Sequence, residues 1–114
     1  AGADCVMDLS VGRGSQAIRR AMLEECAVPL GTVPLYEAFW RAQGDADALT
    51  AQGLVNVIRE QAEEGVDFMT IHSGVNLNAL NALQMQSRIL DVVSRGGAFM
   101  VSWMRKNSKF ASRY

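Results

Sequence analysis

Four short polar clusters stand where apolar runs of the chain give out: Met7-Asp8-Leu9-Ser10, Thr32 to Tyr36, His72-Ser73-Gly74 and Ser94-Arg95-Gly96-Gly97. Each carries a hydroxyl, an imidazole, a carboxylate or a guanidinium, and three of them lead into glycine. The Ser94-Arg95-Gly96-Gly97 cluster is the most suggestive. Its glycines let backbone N–H groups approach an anion, a following helix N-terminus adds positive potential, and Arg95 supplies a fork for phosphate or carboxylate. The plainer alternative is a strand-to-helix turn whose arginine pairs with a neighbouring acid.

His72 is the only histidine. It suits a hydrogen bond to substrate, acid–base work or metal ligation, against the alternative of a satisfied structural histidine. Zinc wants three or four ligands and no Cys/His cluster surrounds His72, so no metal site is expected. Asp8 is a candidate catalytic carboxylate or the anchor of the following loop. Tyr36 follows a proline-constrained segment that fixes its phenol towards a ligand, or it is an amphipathic rim residue. Met7, Met69, Met85, Met100 and Met104 read from pattern as core filling, and Phe39, Trp40 and Trp103 as packing residues. Arg19-Arg20 and Glu63-Glu64 read as solvated helix faces.

The elements that must position these groups follow from periodicity. Strands are expected over Ala3 to Leu9, Val28 to Tyr36 (shortened by Pro29 and Pro34), Val66 to His72 and Ile89 to Val93. Helices are expected from Ser15, as N-cap, to Glu25 with Ile18, Ala21, Met22 and Glu25 on one spacing. Others follow Thr50 with Leu54, Val55, Ile58 and Ala62 on one face up to Gly65, Asn76 or Asn78 with Leu77, Leu80 and Leu83, and Gly97, over Ala98 to Lys106. A turn of helix fits Glu37 to Arg41. The resulting β-α-β-α-β-α-β-α order argues for parallel strands covered by helices: an α/β fold, either a small doubly wound sheet or about four units of a (β/α)8 barrel, which typically needs about 250 residues. In either architecture chemistry gathers at the carboxyl ends of strands, where the four clusters lie. Four such units standing alone leave sheet edges and an apolar face open, so self-association is expected.

The composition bounds the partners. The chain has 114 residues, 49% hydrophobic and 20% charged, with a net charge of −1. That is a globular balance with no net field for nucleic acid or an acidic membrane. No apolar run reaches the roughly 18–20 residues of a membrane span, and the start shows no signal-peptide core. Cys5 and Cys26 fit neither a disulfide framework nor a metal or redox motif, so a reduced cytoplasmic protein is expected. The length suits one small domain or a piece of a larger one.

Taken together, Gly2-Ala3-Asp4-Cys5-Val6-Met7-Asp8-Leu9-Ser10, Val28-Pro29-Leu30-Gly31-Thr32-Val33-Pro34-Leu35-Tyr36, the run from Glu60 through Val66-Asp67-Phe68-Met69-Thr70-Ile71-His72-Ser73-Gly74 to Val75, and Asp91-Val92-Val93-Ser94-Arg95-Gly96-Gly97 resemble the phosphomethylpyrimidine synthase family. These are radical S-adenosylmethionine enzymes that make the thiamin pyrimidine. The four motifs stand in family order and cover nearly the whole chain. The resemblance implies an interior portion of a (β/α)8 catalytic barrel spanning residues 1–114, and 5-aminoimidazole ribotide as substrate. It places the family's substrate-contacting residues on Met7, Tyr36, His72, Ser94, Arg95 and Gly96. It also implies S-adenosylmethionine, a 4Fe-4S cluster and a divalent metal such as zinc in a full-length parent, which as a family member is expected to be a homodimer.

The sequence departs from the family pattern at Cys5 and Val11, where threonine is usual, and in the Gly12-Arg13-Gly14 turn. The long stretch Asn76 to Leu90 looks more like the anaerobic and archaeal branch. That branch includes 5-hydroxybenzimidazole synthases, which turn the same ribotide into the lower base of cobalamin and are the alternative product class. The family's cluster-binding cysteines and later metal-binding histidines have no counterpart here, and two cysteines cannot supply three thiolates at short spacing. The isolated chain is therefore expected to be catalytically inactive, and a non-catalytic half-barrel binding or assembly module is the other alternative.

Overall fold

The computed structural model describes residues 2–45, 47–86, 89–90 and 92–111, with side chains as far as Asn107. Among the described residues three strands and five helices follow in the order β1 (Val6–Asp8), α1 (Ser15–Glu25), β2 (Leu30–Thr32), α2 (Pro34–Arg41), α3 (Ala51–Glu63), β3 (Phe68–Met69), α4 (Leu77–Met85) and α5 (Arg95–Ala111). The sheet is parallel in the order β1-β2-β3. Met7 pairs with Gly31 and Gly31 with Phe68, while Asp8 pairs with Thr32 and Thr32 with Met69. Alternation along each strand therefore puts Met7, Gly31 and Phe68 on one face and Asp8, Thr32 and Met69 on the other. Asp67 extends the β2–β3 ladder: its N–H donates to the Leu30 carbonyl at 3.0 Å and its Oδ2 accepts the Leu30 N–H at 2.8 Å.

The Asp8–Thr32 face meets the helices. The Thr32 hydroxyl donates to Gln61 Oε1 at 2.7 Å in the buried seam between β2 and α3. The core lies between α2, α3 and α5, around Val33, Leu35, Ala38, Leu49 and Val57. Phe99, Met100 and Trp103 pack against it, and the Trp103 indole N–H donates to the Leu49 carbonyl at 2.9 Å.

Local chemistry sets the helix ends. The Thr50 hydroxyl accepts the Gly53 N–H and the Asn76 side chain accepts the Ala79 N–H, so both expected caps are in place. After α3, Gly65 adopts φ 98° while its N–H bonds the Ala62 carbonyl and the Val66 N–H bonds that of Gln61, closing a Schellman motif.

The structure departs from the sequence reading in several places. The expected strand over Ile89 to Val93 does not form. Ile89 and Leu90 lie in a bend, Val92 and Val93 carry no regular structure, and Asp91 lies outside the described residues. Ile89, Leu90 and Val93 are strongly exposed, whereas a parallel strand is stable when covered on both faces. The second strand stops at Thr32, because Pro34, which has no ladder donor, instead takes the first position of α2, where its fixed φ favours the helix. Tyr36 is thus a helical residue, and α2 begins before Glu37. Helix α5 likewise begins at Arg95 instead of Ala98, with Gly96 and Gly97 inside its first turn.

Gly14, at φ 88°, caps α1 and Ser15 is its first residue. The buried stripe of α1 carries Ser15 and Arg19, leaving Ile18 half exposed. On α3 the buried positions are Val57 and Gln61, while Val55 and Ala62 face out. Both helices turn polar side chains inward because those side chains find partners there. Met85 is 86% exposed and fills no core.

Candidate functional site

The parallel sheet sends the ends of β1, β2 and β3 in one direction, and the start of α5 closes over them. Ser94 caps α5: its Oγ accepts the Gly97 N–H at 3.2 Å and its carbonyl accepts the Ala98 N–H at 2.8 Å. This places Arg95 in the first helical turn with its side chain reaching across the sheet ends. Arg95 Nη2 donates to the Leu9 carbonyl, just past β1, at 3.2 Å. The guanidinium carbon also lies 4.2 Å from the centroid of the Tyr36 ring, a cation–π stack. Among the described residues no carboxylate pairs with Arg95.

The next residue holds the histidine. Gly96 is buried, and a Cβ built on it would fall within the His72 imidazole, so the ring rests directly on the Gly96 backbone. His72 Nδ1 is buried and has no hydrogen-bond partner among the described residues, and the same is true of Ser10 Oγ. These two orphaned polar atoms flank the Arg95–Gly96 pair through Leu9 on one side and His72 on the other. An unpartnered buried polar atom costs about 1–3 kcal/mol, so two within one cluster fit a site that is completed by a ligand.

Tyr36 is fixed from behind. Its ring meets Phe99 edge-on at 6.2 Å, and Phe99 stacks on Phe39 at 4.3 Å. A cleft of ≈ 590 Å³ opens along Tyr36, Phe39, Phe99, Val11 and Arg13. Next to Tyr36, Glu37 ties α2 to α1 through Arg19 Nη1 at 3.0 Å and to α3 through Gln61 Nε2 at 2.7 Å, and pairs within α2 with Arg41 Nη2 at 2.7 Å.

Arg19 also pairs with Glu64, Nε to Oε2 at 2.8 Å, and its side chain is 3% exposed. Arg19 and Glu64 are therefore interior partners and not the solvated faces that consecutive charges suggest. Burial works against the charge on both. For Arg19 the hydrogen bond to Glu64 and the charge of Glu37 outweigh it and raise the pKa. For Glu64 the hydrogen bonds from Arg19 and Gln16 hold the carboxyl below its ordinary value.

Of the six candidate residues, Tyr36, His72, Arg95 and Gly96 are joined by direct contact, and Ser94 caps the helix that carries two of them. Met7 makes none of these contacts; it is partly buried and packs against the core cluster, with its sulfur beside Gly31. Asp8 is buried and its Oδ1 accepts the Ser10 N–H at 2.9 Å, so it anchors the loop. Ser10 itself falls in a named polar cluster without being marked out by sequence; only the missing hydrogen bond distinguishes it.

Residues 1–114 match the model of the family described as the radical SAM ThiC family. Curated relatives agree. The chain is 47% identical over 112 residues to the phosphomethylpyrimidine synthase of Desulforudis audaxviator and equally identical to that of Carboxydothermus hydrogenoformans, covering 96% of this chain and 26% of each of those proteins. It is 44% identical over 108 residues to phosphomethylpyrimidine synthase 2 of Methanosarcina barkeri, with 95% of this chain and 25% of that protein aligned. The chain thus spans about a quarter of the length of the curated relatives it matches.

Proposed function

The chain belongs to the radical SAM ThiC family, and on that premise we propose that it is the segment of a phosphomethylpyrimidine synthase that binds and orients 5-aminoimidazole ribotide. The observation that carries this reading is the meeting of all four separated motifs around the start of α5. Arg95 bridges Leu9 and Tyr36 while His72 sits on Gly96. Arg95, with no carboxylate partner among the described residues, pairs with the anionic group of the ribotide, and Ser94 and Gly96 shape the helix start beside it. His72 presents its unpartnered Nδ1 to a polar ligand atom. The Met7 thioether and the Tyr36 ring supply the apolar side of the pocket. These residues bind and orient the substrate and exclude water from it.

The parallel order β1-β2-β3 is compatible with consecutive units of a (β/α)8 barrel, as it is with the first half of a doubly wound sheet, and we read it as the barrel because of the family resemblance. Leu9, Phe68, Ile71 and Val93 remain exposed, which suits a barrel closed by further units of a full-length protein, or by a second copy of this segment when it stands alone. The family's reductively cleaved S-adenosylmethionine and its iron–sulfur cluster supply the radical that starts the rearrangement. The residues described here do not fit that cluster. Cys5 lies exposed ahead of β1, Cys26 ends α1, and no group of three His, Cys, Asp or Glu among the described residues is placed to hold a metal. The cluster, and any divalent metal such as zinc, belong to the rest of the full-length protein.

The test is turnover of 5-aminoimidazole ribotide by the full-length protein with S-adenosylmethionine and a reductant, wild type against Arg95→Ala and His72→Ala. Loss of turnover in both variants is expected. Unchanged turnover in both overturns the site. Product analysis separates the thiamin pyrimidine phosphate, which this reading expects, from 5-hydroxybenzimidazole.

A further inference from the structure

We infer that Ser10 is a ligand-binding residue of this site and that its hydroxyl donates a hydrogen bond to an oxyanion held beside Arg95. The inference rests on the ribotide reading above and adds a residue that the sequence motifs do not mark. Ser10 Oγ is buried and has no hydrogen-bond partner among the described residues. A hydroxyl has one donor and two acceptor positions, and burying all three unused is rare in folded proteins.

The loop that carries the hydroxyl is also held in place. The Ser10 N–H is bonded to Asp8 Oδ1, the preceding Leu9 carbonyl is bonded to Arg95 Nη2, and the Gly12 carbonyl accepts the Ser15 N–H that opens α1. The backbone is therefore tied on both sides of Ser10. Arg95 is hydrogen-bonded to this loop through Leu9, and its guanidinium spends one N–H there and meets no carboxylate among the described residues. A neutral hydroxyl one residue from such a guanidinium suits the phosphate oxygen of a ligand better than a cation or an apolar ring.

The experiment compares wild-type full-length protein with Ser10→Ala in calorimetric titrations without reductant, using 5-aminoimidazole ribotide and its dephosphorylated riboside. Ser10→Ala is expected to weaken ribotide binding by about 10- to 100-fold, the range for a hydrogen bond to a charged group, and riboside binding by less than about threefold. Because the hydroxyl has no partner among the described residues, the variant is expected to melt at the same temperature as wild type or higher. Equal ribotide affinity overturns the assignment of Ser10, as does a variant that melts lower, since the hydroxyl then has a partner inside the protein. An equal loss for ribotide and riboside overturns the oxyanion. A wild type that binds no ribotide overturns the ribotide reading itself, and this inference with it.

Discussion

The guanidinium of Arg95 lies 4.2 Å from the centroid of the Tyr36 ring and at the same time donates to the Leu9 carbonyl at 3.2 Å. One side chain at the start of α5 therefore ties together the first turn of α2 and the end of β1. An arginine stacked on an aromatic face keeps its edge N–H groups in a fixed plane, which prepares it for an oxyanion at little further loss of side-chain freedom.

The stack sets a graded prediction for Tyr36. Tyr36→Phe keeps the ring face and is expected to change ribotide affinity in the full-length protein by less than about threefold. Tyr36→Leu removes the face and is expected to weaken binding by roughly 3- to 30-fold, the range for a partly desolvated cation–π contact. Calorimetric titration decides it. A large loss in Tyr36→Phe assigns the work to the phenol hydroxyl instead of the ring.

Gly96 gives a steric prediction. Any Cβ there enters the space of the His72 imidazole, and the backbone of α5 cannot move aside without breaking the Ser94 cap. Gly96→Ala is expected to displace the imidazole and lower ribotide turnover at least tenfold, with a stability loss of about 1–3 kcal/mol. The pair Gly96→Ala with His72→Ala should regain the stability and not the turnover. Urea unfolding and turnover assays on the same samples separate the two effects.

A second glycine governs the Met7 face of the sheet. In the row Met7, Gly31, Phe68, a Cβ on Gly31 would enter the Phe68 ring and come within 2.6 Å of the Met7 sulfur. Gly31→Ala is expected to cost about 1–3 kcal/mol and to raise KM more than it lowers kcat, because it moves the Met7 thioether. Adding Phe68→Leu opens the space and is expected to recover most of the stability. A double variant no more stable than Gly31→Ala alone shows that Phe68 is not what the methyl group meets.

Much of this arrangement was legible in the residues. The caps at Thr50 and Asn76, the glycine stop at Gly65 and the parallel order all follow from local rules that tertiary packing left intact. Part of what sequence misjudged is the inward placement of charged side chains. Arg19 and Glu64 read as solvated helix faces, yet they pair with each other between α1 and the end of α3, far apart along the chain. Such pairings are invisible to a window of neighbouring residues. The missing strand has a related origin. Ile89 and Val93 have strand-forming side chains, yet both are strongly exposed, and propensity without burial does not hold a strand. At the site, the structure brings Arg95 against Tyr36 and His72 against Gly96, while Met7, named with them from sequence, takes part in neither contact. The sequence reading mistook Tyr36 for a strand residue because Pro34 reads equally as a strand exit and a helix start.

The buried charge network gives the last prediction, on pH. Glu64 has its carboxyl below the ordinary value of 4.5. Burial by itself would raise it, but the hydrogen bonds from Arg19 and Gln16 prevail. Glu60 is lowered as well, chiefly by its hydrogen bond from Arg41. Because these groups release protons more readily folded than unfolded, the unfolded chain binds more protons as the solution turns acidic. Their contribution to stability is therefore complete above pH 4.5 and fades as pH falls through the lowered folded values. The urea midpoint is expected to hold steady from neutral pH to about 5 and to drop below that. Arg19→Met, which strands Glu37 and Glu64 without their buried partner, is expected to cost about 3–5 kcal/mol at neutral pH and to flatten the acid drop. Because Glu37 adjoins Tyr36, the same variant is expected to loosen ribotide binding. A variant with wild-type stability at neutral pH and the wild-type acid profile would show that this network neither holds α2 in place nor positions Tyr36.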